Sequence, residues 1–480
     1  MQILRQLYRQ LTSGEASQVK PLGASGSNRR YFRLTGEQGA SLIGVIGTSA
    51  AENRAFCYLS EHFAAKGLPV PKVLIHSDDF LCYLQQDLGD QVLFDALAGG
   101  RRRGIWSDVE VDLLRRTMRL LPEFQFRGAE GLDFSRCYPQ PAFDRRMIGF
   151  DQNYFKYCFL KTSGLEFDEI RLDEDFRRMA DMLLQDEGAR TFMYRDFQAR
   201  NVMISGGEPW FIDFQGGRRG PVYYDIASFV YQARSGYDHA LREMLIDTWL
   251  EAARPYAEYD AEAFRSRLRH FVLFRTLQVL GAYGFRGRWE RKPHFLQSIP
   301  MAIATLRELL GTPFTEYPYL CQVLQQLCEL PEYAPQPAAA RTADHPALEV
   351  LVTSFSFRRG APQDESGNGG GYVFDCRGMD NPGRYEPYKN LTGLDQEVID
   401  FLEGRGEIQP FLARATELAA SHVRNYISRG FTHLMLSFGC TGGQHRSVYS
   451  AQHLAEELHR QFPDIRIRLR HRELGIEKVL

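Results

Sequence analysis

One run of residues governs what this chain can fold into: Pro331-Glu332-Tyr333-Ala334-Pro335-Gln336-Pro337-Ala338-Ala339-Ala340. It lacks apolar periodicity, and its prolines favour extended, semi-rigid backbone, so it reads as a linker between separately folded units. At 480 residues the chain is in any case long for one domain. Hydrophobic residues at 44% and aromatics at 12% supply a core on each side and argue against wholesale disorder. A net charge of -2 gives no general attraction to nucleic acid or membrane, so any such binding must come from a local patch.

Upstream of the linker the pattern changes once. Up to about residue 88, short β-like runs (Arg30 to Leu34, Ser41 to Ile46, Phe80 to Gln85) surround one helix, Ala51 to Lys66. After Asp87-Leu88-Gly89-Asp90 the chain turns helical, with amphipathic segments such as Val109 to Leu121 and Phe264 to Leu280. A small β-rich lobe before a larger helical one is the layout of a kinase-like fold. The expectation is therefore an α+β two-lobed protein-kinase-like domain followed by a separate α/β domain. The boundaries are an N-lobe over 1–88, a helical C-lobe over 89–330, a linker over 331–346 and a C-terminal domain over 347–480.

The eight cysteines are scattered without a CxxC pair or a Cys/His cluster, as expected of small core residues in a reducing compartment. The first residues, Met1 to Arg5, open an amphipathic helix and lack the apolar core of a signal peptide. The most apolar stretch, Phe271 to Phe285, is interrupted by Arg275 and Gln278 and is too short to span a bilayer. A cytoplasmic protein with no membrane or DNA partner is expected.

The segment Tyr194-Arg195-Asp196 to Asn201, a turn at Ser205 to Pro209, and an apolar strand ending in Asp213 together fit phosphoryl transfer. That reaction needs a carboxylate beside the attacking hydroxyl and a hard oxygen-ligand set for Mg2+ bridging nucleotide phosphates. Asp196 suits the first role, and Asn201 and Asp213 the second. Near the start, Gly23-Ala24-Ser25-Gly26-Ser27-Asn28 is a small-residue turn able to lie over phosphates, with Arg29 or Arg30 close to the charge. Asp225 reads as a buried support beneath the catalytic loop.

Three segments carry a resemblance: Ser27 to Leu34, Tyr194 to Asn201, and Ile212-Asp213-Phe214-Gln215 through to Tyr224-Asp225-Ile226-Ala227-Ser228. Over roughly 15 to 325 the chain resembles the aminoglycoside phosphotransferase/choline kinase-like family. Within it, the chain looks closest to the amino-sugar kinases that phosphorylate N-acetylmuramate and N-acetylglucosamine. The resemblance implies ATP and Mg2+ between the lobes, with Ser25, Gly26, Ser27, Asn28 and Arg29 at the nucleotide, and a small sugar as acceptor. Two departures stand out. Tyr194 replaces the family's usual His, and the third strand, Leu42 to Ile46, has no lysine for the α- and β-phosphates.

Past the linker, a strand at His433 to Phe438 runs into Gly439-Cys440-Thr441-Gly442-Gly443-Gln444-His445-Arg446-Ser447 and then a helix from Val448 to His459. A small-residue loop before a helix N-terminus is suited to anions. Cys440 and Arg446 also have the C-x5-R spacing of cysteine-dependent phosphatases, a second reading. With Phe374-Asp375-Cys376-Arg377, Leu391-Thr392-Gly393-Leu394-Asp395 and Arg470-His471-Arg472, the loop resembles the carboxy-terminal domain of the RapZ-type RNase adapter family, over about 347 to 480. That implies a pocket for a phosphorylated amino sugar, glucosamine 6-phosphate, at Thr441, Gly442, Gly443, Gln444, His445, Arg446 and Ser447, together with small-RNA contacts. Arg466, Arg468 and Arg470 alternate on one strand face and, with His471 and Arg472, form a basic stripe suited to RNA phosphates; an edge strand with charged gatekeepers is the plainer alternative.

Besides the Cys440 phosphatase reading, two function classes stay open. One is an ATP-dependent sugar kinase whose appended domain binds a phosphorylated amino sugar as a feedback sensor. The other is a nucleotide-responsive adapter that presents small RNA, with a silent kinase fold.

Overall fold

The computed structural model describes residues 1–23, 29–37, 39–185, 190–333, 348–366, 371–429, 431–463 and 465–480. It divides into two compact units, Met1–Pro335 and Gln336–Leu480. Among the described residues no helix is long and apolar enough to cross a membrane.

The first unit opens with helix α1 (Gln2–Thr12) and a five-stranded antiparallel sheet. Its strands are β1 (Ala16–Leu22), β2 (Arg30–Gly36), β3 (Ser41–Ile46), β4 (Val73–His76) and β5 (Cys82–Gln86), in the order β1-β2-β3-β5-β4. Helix α2 (Ala50–Ala65) follows β3, capped by the Ser49 side chain, which accepts from the Glu52 N–H. Leu4, Leu7 and Tyr8 of α1 pack on one face of the sheet against Leu34 and Leu84. On the other side, Phe56 of α2 stacks on Phe214 and Phe63 meets it edge-on, with ring centroids 4.9 and 5.5 Å apart, so α2 joins the β lobe to the helical lobe.

The helical lobe is built around Ala261–Tyr283, a helix buried on nearly every side rather than along one stripe. Helices Asp108–Gln125, Arg145–Phe155 and Tyr223–Val230 pack around this lobe's core. Two short ribbons sit between the lobes. One pairs β6 (Phe192–Met193) with β9 (Arg218–Arg219); the other pairs β7 (Val202–Ser205) with β8 (Glu208–Phe211). The β7–β8 turn is Gly206-Gly207 at φ 61° and 82°, the two positive angles that a tight two-residue hairpin demands.

The second unit is a five-stranded mixed sheet in the order β11-β12-β10-β13-β14. Its strands are β10 (Glu349–Ser356), β11 (Gly371–Asp375), β12 (His433–Cys440), β13 (Arg466–His471) and β14 (Ile476–Val479). β10 runs parallel to both β12 and β13, while β14 is antiparallel to β13. Val448, Ala451, Leu454, Ala455 and Leu458 of helix Arg446–Gln461 are buried against the strands, as a crossover between parallel strands requires. The two-lobed fold and the separate α/β unit are as the sequence implies. Strands β1 and β4 were not foreseen, and β13 is an interior strand rather than an edge, because β14 covers it.

Candidate functional site

The Tyr194–Asp196 turn hangs from one buried carboxylate. The backbone N–H groups of Tyr194 and Arg195 donate to the two oxygens of Asp225 at 2.8 and 2.9 Å, and Gln125 Nε2 adds a third bond at 3.2 Å. Trp249 fixes Gln125 in turn, its Nε1 donating to Oε1 at 2.9 Å. Burial pushes the Asp225 carboxyl up to about 7, against the pull of these donors, so it supports the loop rather than meeting solvent. The Tyr194 hydroxyl donates to the Ile212 carbonyl, tying the turn to the segment carrying Asp213. A histidine's role at this position is thus taken by a buried phenol.

Above that platform the three foreseen residues converge on one cavity of about 550 Å3. The Asp196 side chain is 52% exposed and reaches the cavity, with Arg275 Nη2 3.4 Å from its Oδ1. Asn201 donates through Nδ2 to the Asp196 carbonyl at 2.8 Å, which leaves its Oδ1 as the acceptor. Asp213 takes a bond from Gln215 Nε2 at 2.8 Å. Burial, then the charge of Asp196, push the Asp213 carboxyl above its ordinary value, and Gln215 and Arg29 only partly oppose them. Arg195 and Asp213 both sit at positive φ, 77° and 67°, a conformation costing each about 1 kcal/mol or more and typical of functional loops.

This donor set fits a hard divalent cation. It offers one amide oxygen and two carboxylates whose mutual repulsion a cation would relieve. No group of three or more His, Cys, Asp or Glu side chains able to hold a metal occurs among the described residues, so a cation here would need further oxygen ligands from outside the protein.

Arg29 lies just before β2 and is 3% exposed, its Nη2 3.1 Å from Glu52 Oε1 on α2 and its guanidinium 5.7 Å from the Phe56 ring centre. Its charge also reaches Asp213. Ser25, Gly26, Ser27 and Asn28 lie outside the described residues. Sequence reading missed Glu52, whose contact with Arg29 spans a strand pair. It also passed over Arg275, although a charged residue inside an apolar helix was a usable signal.

In the second unit the carboxyl ends of β10, β12 and β13 meet, the usual place for a ligand in a parallel sheet. The loop after β12 curls around its own sulfur. The Gly443 N–H donates to Cys440 Sγ at 3.2 Å, and Ser447 Oγ lies 3.1 Å from it. Burial alone would raise the Cys440 thiol, but Ser447, the loop N–H groups and Arg446 together bring it below its ordinary value. Ser356 Oγ donates to the Thr441 carbonyl at 2.7 Å. Gly443 sits at φ 72°, where a Cβ would come within 2.8 Å of the Ser356 nitrogen, so only glycine closes the loop.

The side chains expected to hold an anion also make contacts within the unit. Arg446 is buried and donates through Nη1 to the carbonyls of Arg377 at 3.1 Å and Met379 at 2.6 Å. His445 is buried with Nε2 2.9 Å from the Tyr388 carbonyl, and Gln444 Nε2 donates to Lys389 and Leu391 carbonyls at 3.0 and 2.7 Å. These contacts dock the Leu391–Asp395 segment on the loop, where the Gly393 N–H reaches the Gln444 carbonyl at 2.9 Å. Gly442 is exposed and Thr441 half-buried, so they form the loop's outer part.

The arginine stripe is neutralised. Arg468 meets Glu349, Glu365 and Glu477 at 3.2–3.3 Å, and Arg470 pairs with Glu365 and Glu477. Arg466 faces Glu349 at 3.6 Å, and Arg472 pairs with Glu473 at 2.8 Å. His471 is fully buried between Ser354 and Gln452, and burial pushes it down to about 4, so it adds no charge.

Two family models account for these two constructions. Residues 18–261 match the phosphotransferase enzyme family, and the chain belongs to that family. Residues 348–475 match the RapZ C-terminal domain, so a phosphotransferase domain and a RapZ C-terminal domain occur in one chain. Among curated proteins, a nucleotide-binding protein of Rhodospirillum rubrum is 40% identical over 133 residues, 27% of this chain and 39% of that protein. One from Staphylococcus carnosus is 37% identical over 134 residues, 28% and 42% of the respective chains. The chain thus spans about two-fifths of the length of these relatives. Among solved structures, amicoumacin kinase aligns with a TM-score of 0.47 at 14% identity, covering 68% of this chain and 96% of that one. Choline kinase from Cryptosporidium parvum aligns with a TM-score of 0.48 at 12% identity, covering 68% and 99%.

Proposed function

We propose that the first unit is an ATP- and Mg2+-dependent kinase of a small sugar, an amino sugar such as N-acetylmuramate or N-acetylglucosamine. On the same reading, the second unit binds a phosphorylated amino sugar at the loop after β12. The observation that carries the kinase reading is the convergence of Asp196, Asn201 and Asp213 on one cavity above the Asp225 platform.

Asp196 orients the acceptor hydroxyl and takes its proton as the oxygen attacks the terminal phosphorus. Asn201, through Oδ1, and Asp213 would hold the metal, which when bound would supply positive charge against the nucleotide phosphates. Arg29, locked by Glu52, lies on the β-lobe side of Asp213 and serves where the third-strand lysine is absent. Asp225 keeps the loop rigid so that Asp196 needs no rearrangement during the reaction. In the second unit, the main-chain N–H groups at the start of helix Arg446–Gln461 and the outer loop face the phosphate. Cys440 serves as the loop's internal anchor rather than as a nucleophile.

The test is release of ADP from ATP and Mg2+ with each amino sugar. Wild-type turnover with a fall of about 10²- to 10⁴-fold in kcat for Asp196→Asn supports the reading. Equal turnover in that variant, or no transfer to any amino sugar, overturns it. The adapter reading gains no support from the β13 stripe, since every arginine in it already has a glutamate partner.

A further inference from the structure

The cavity beside Asp196 carries an excess of positive charge that the transfer chemistry does not use. Its described lining runs from Tyr154 to Thr305 and thus belongs wholly to the helical lobe, on the acceptor side of Asp196 rather than against the β lobe. The acids in that lining are Asp196 and Asp213, both engaged by the kinase reading, while Arg200, Arg234, Arg275 and Arg286 all line it. Arg275 is held in place by Ser228, its Nε donating to Oγ at 3.1 Å, and by the Gln278 side chain. Arg200 is seated 4.3 Å from the Phe94 ring centre.

Arg200, Arg234 and Arg275 open on the same cavity. Tyr283 lines the same cavity. Burial raises its hydroxyl, and the charges of Arg275, Arg234 and Arg200 all pull against that rise. Arg275 already meets Asp196 at 3.4 Å, whereas the described lining offers Arg200 and Arg234 no acid beyond Asp196 and Asp213, so an entering anion gains guanidinium partners.

Resting on the kinase reading above, we propose that Arg200, Arg234 and Arg275 form an oxyanion subsite around Tyr283 that selects acceptor sugars bearing a carboxylate or a phosphate. The subsite disfavours polycationic acceptors, whose ammonium groups would face the guanidiniums, and gives neutral sugars no partner for these charges. Arginine suits the task, since its planar fork binds a carboxylate or phosphate through two parallel bonds.

The experiment uses the full chain with N-acetylmuramate, N-acetylglucosamine and N-acetylglucosamine 6-phosphate. These share a ring and differ by a carboxylate, nothing or a phosphate. Steady-state kcat/KM at saturating ATP is expected to favour at least one anionic sugar over the neutral one by roughly 10- to 100-fold, a gap that narrows as salt rises. Arg200→Gln with Arg234→Gln is expected to close the gap while KM for ATP and the melting temperature stay within error. Arg200→Lys with Arg234→Lys is expected to restore part of it. Calorimetric titration of the same sugars reads the subsite without turnover, and sugar-phosphate binding is credited to this cavity only as far as the paired glutamine variant removes it. A neutral sugar used and bound as well as both anionic ones, or a preference untouched by the glutamine pair, overturns the subsite. Preferential anion binding lost in that pair, without transfer to any sugar, would fail the kinase reading and leave the subsite standing.

Discussion

Replacing Glu52 isolates the ion pair that the proposed mechanism puts in place of the third-strand lysine. Its carboxylate is 3.1 Å from the Arg29 guanidinium, and at an effective dielectric near 20 such charges attract by about 5 kcal/mol. Arg29 is 3% exposed but Glu52 is 30% exposed, so water screens part of that attraction. Arg29 also keeps the favourable charge of Asp213 after the change. The expected cost of Glu52→Gln is therefore about 2 kcal/mol, below the roughly 3–5 kcal/mol of a wholly buried pair. Urea unfolding of wild type, Glu52→Gln, Arg29→Met and the double variant closes a thermodynamic cycle. A coupling of about 2 kcal/mol is expected, together with a rise of roughly tenfold in KM for ATP in Arg29→Met. Coupling below about 0.5 kcal/mol, or an unchanged KM for ATP in Arg29→Met, would refute the reasoning.

Two further outcomes concern the second unit. Between about pH 4 and 6.5 the unfolded chain protonates His471 while the native state, holding it down to about 4, refuses the proton. Its contribution to stability is therefore full above pH 6.5 and lost as pH falls toward 4, about 3 kcal/mol in all. Thermal melts of the full chain should show this slope in wild type and a flatter one in His471→Gln; parallel slopes would refute it. Replacing Arg468 and Arg470 by Gln together should leave salt-dependent retention on small RNA unchanged in gel shifts and cost about 1–2 kcal/mol of stability from a half-exposed charge network. A tenfold loss of RNA binding would contradict the pairing seen here.

What the sequence disclosed follows from where its signals are local. Ser41–Ile46 is an apolar run that buries Ile43, Gly44 and Val45, and the aromatic and apolar residues of Arg30–Gly36 are at least half-buried, so both inner strands show in the sequence. The two edge strands escaped notice for the opposite reason. β1 buries only its first residue fully and contains Pro21, and β4 is four residues long. Asp196, Asn201 and Asp213 were legible because one loop and one hairpin carry all three. The Arg29–Glu52 pair, the Arg275 contact with Asp196 and the Glu365 pairs of Arg468 and Arg470 join distant segments, so no local pattern announces them. Arg446 is a different case: its spacing from Cys440 suits an anion holder, and no local signal shows that its Nη1 also reaches the carbonyls of Arg377 and Met379.

Charge balance separates the two arginine groups more sharply than their sequence does. On β13 each arginine was drawn as a phosphate contact, and each meets a glutamate from a neighbouring strand or loop, so the stripe presents little field to a polyanion. Around Tyr283 arginines share a cavity whose described acids are only Asp196 and Asp213, and one of these pairs with Arg275 at 3.4 Å. A fold gains from matching its charges internally, so cations left in excess beside a reactive carboxylate are better explained by a ligand than by stability. By that argument the arginines of this cavity are the better candidates for a small anionic ligand, whereas those of β13 are matched by glutamates within their own unit.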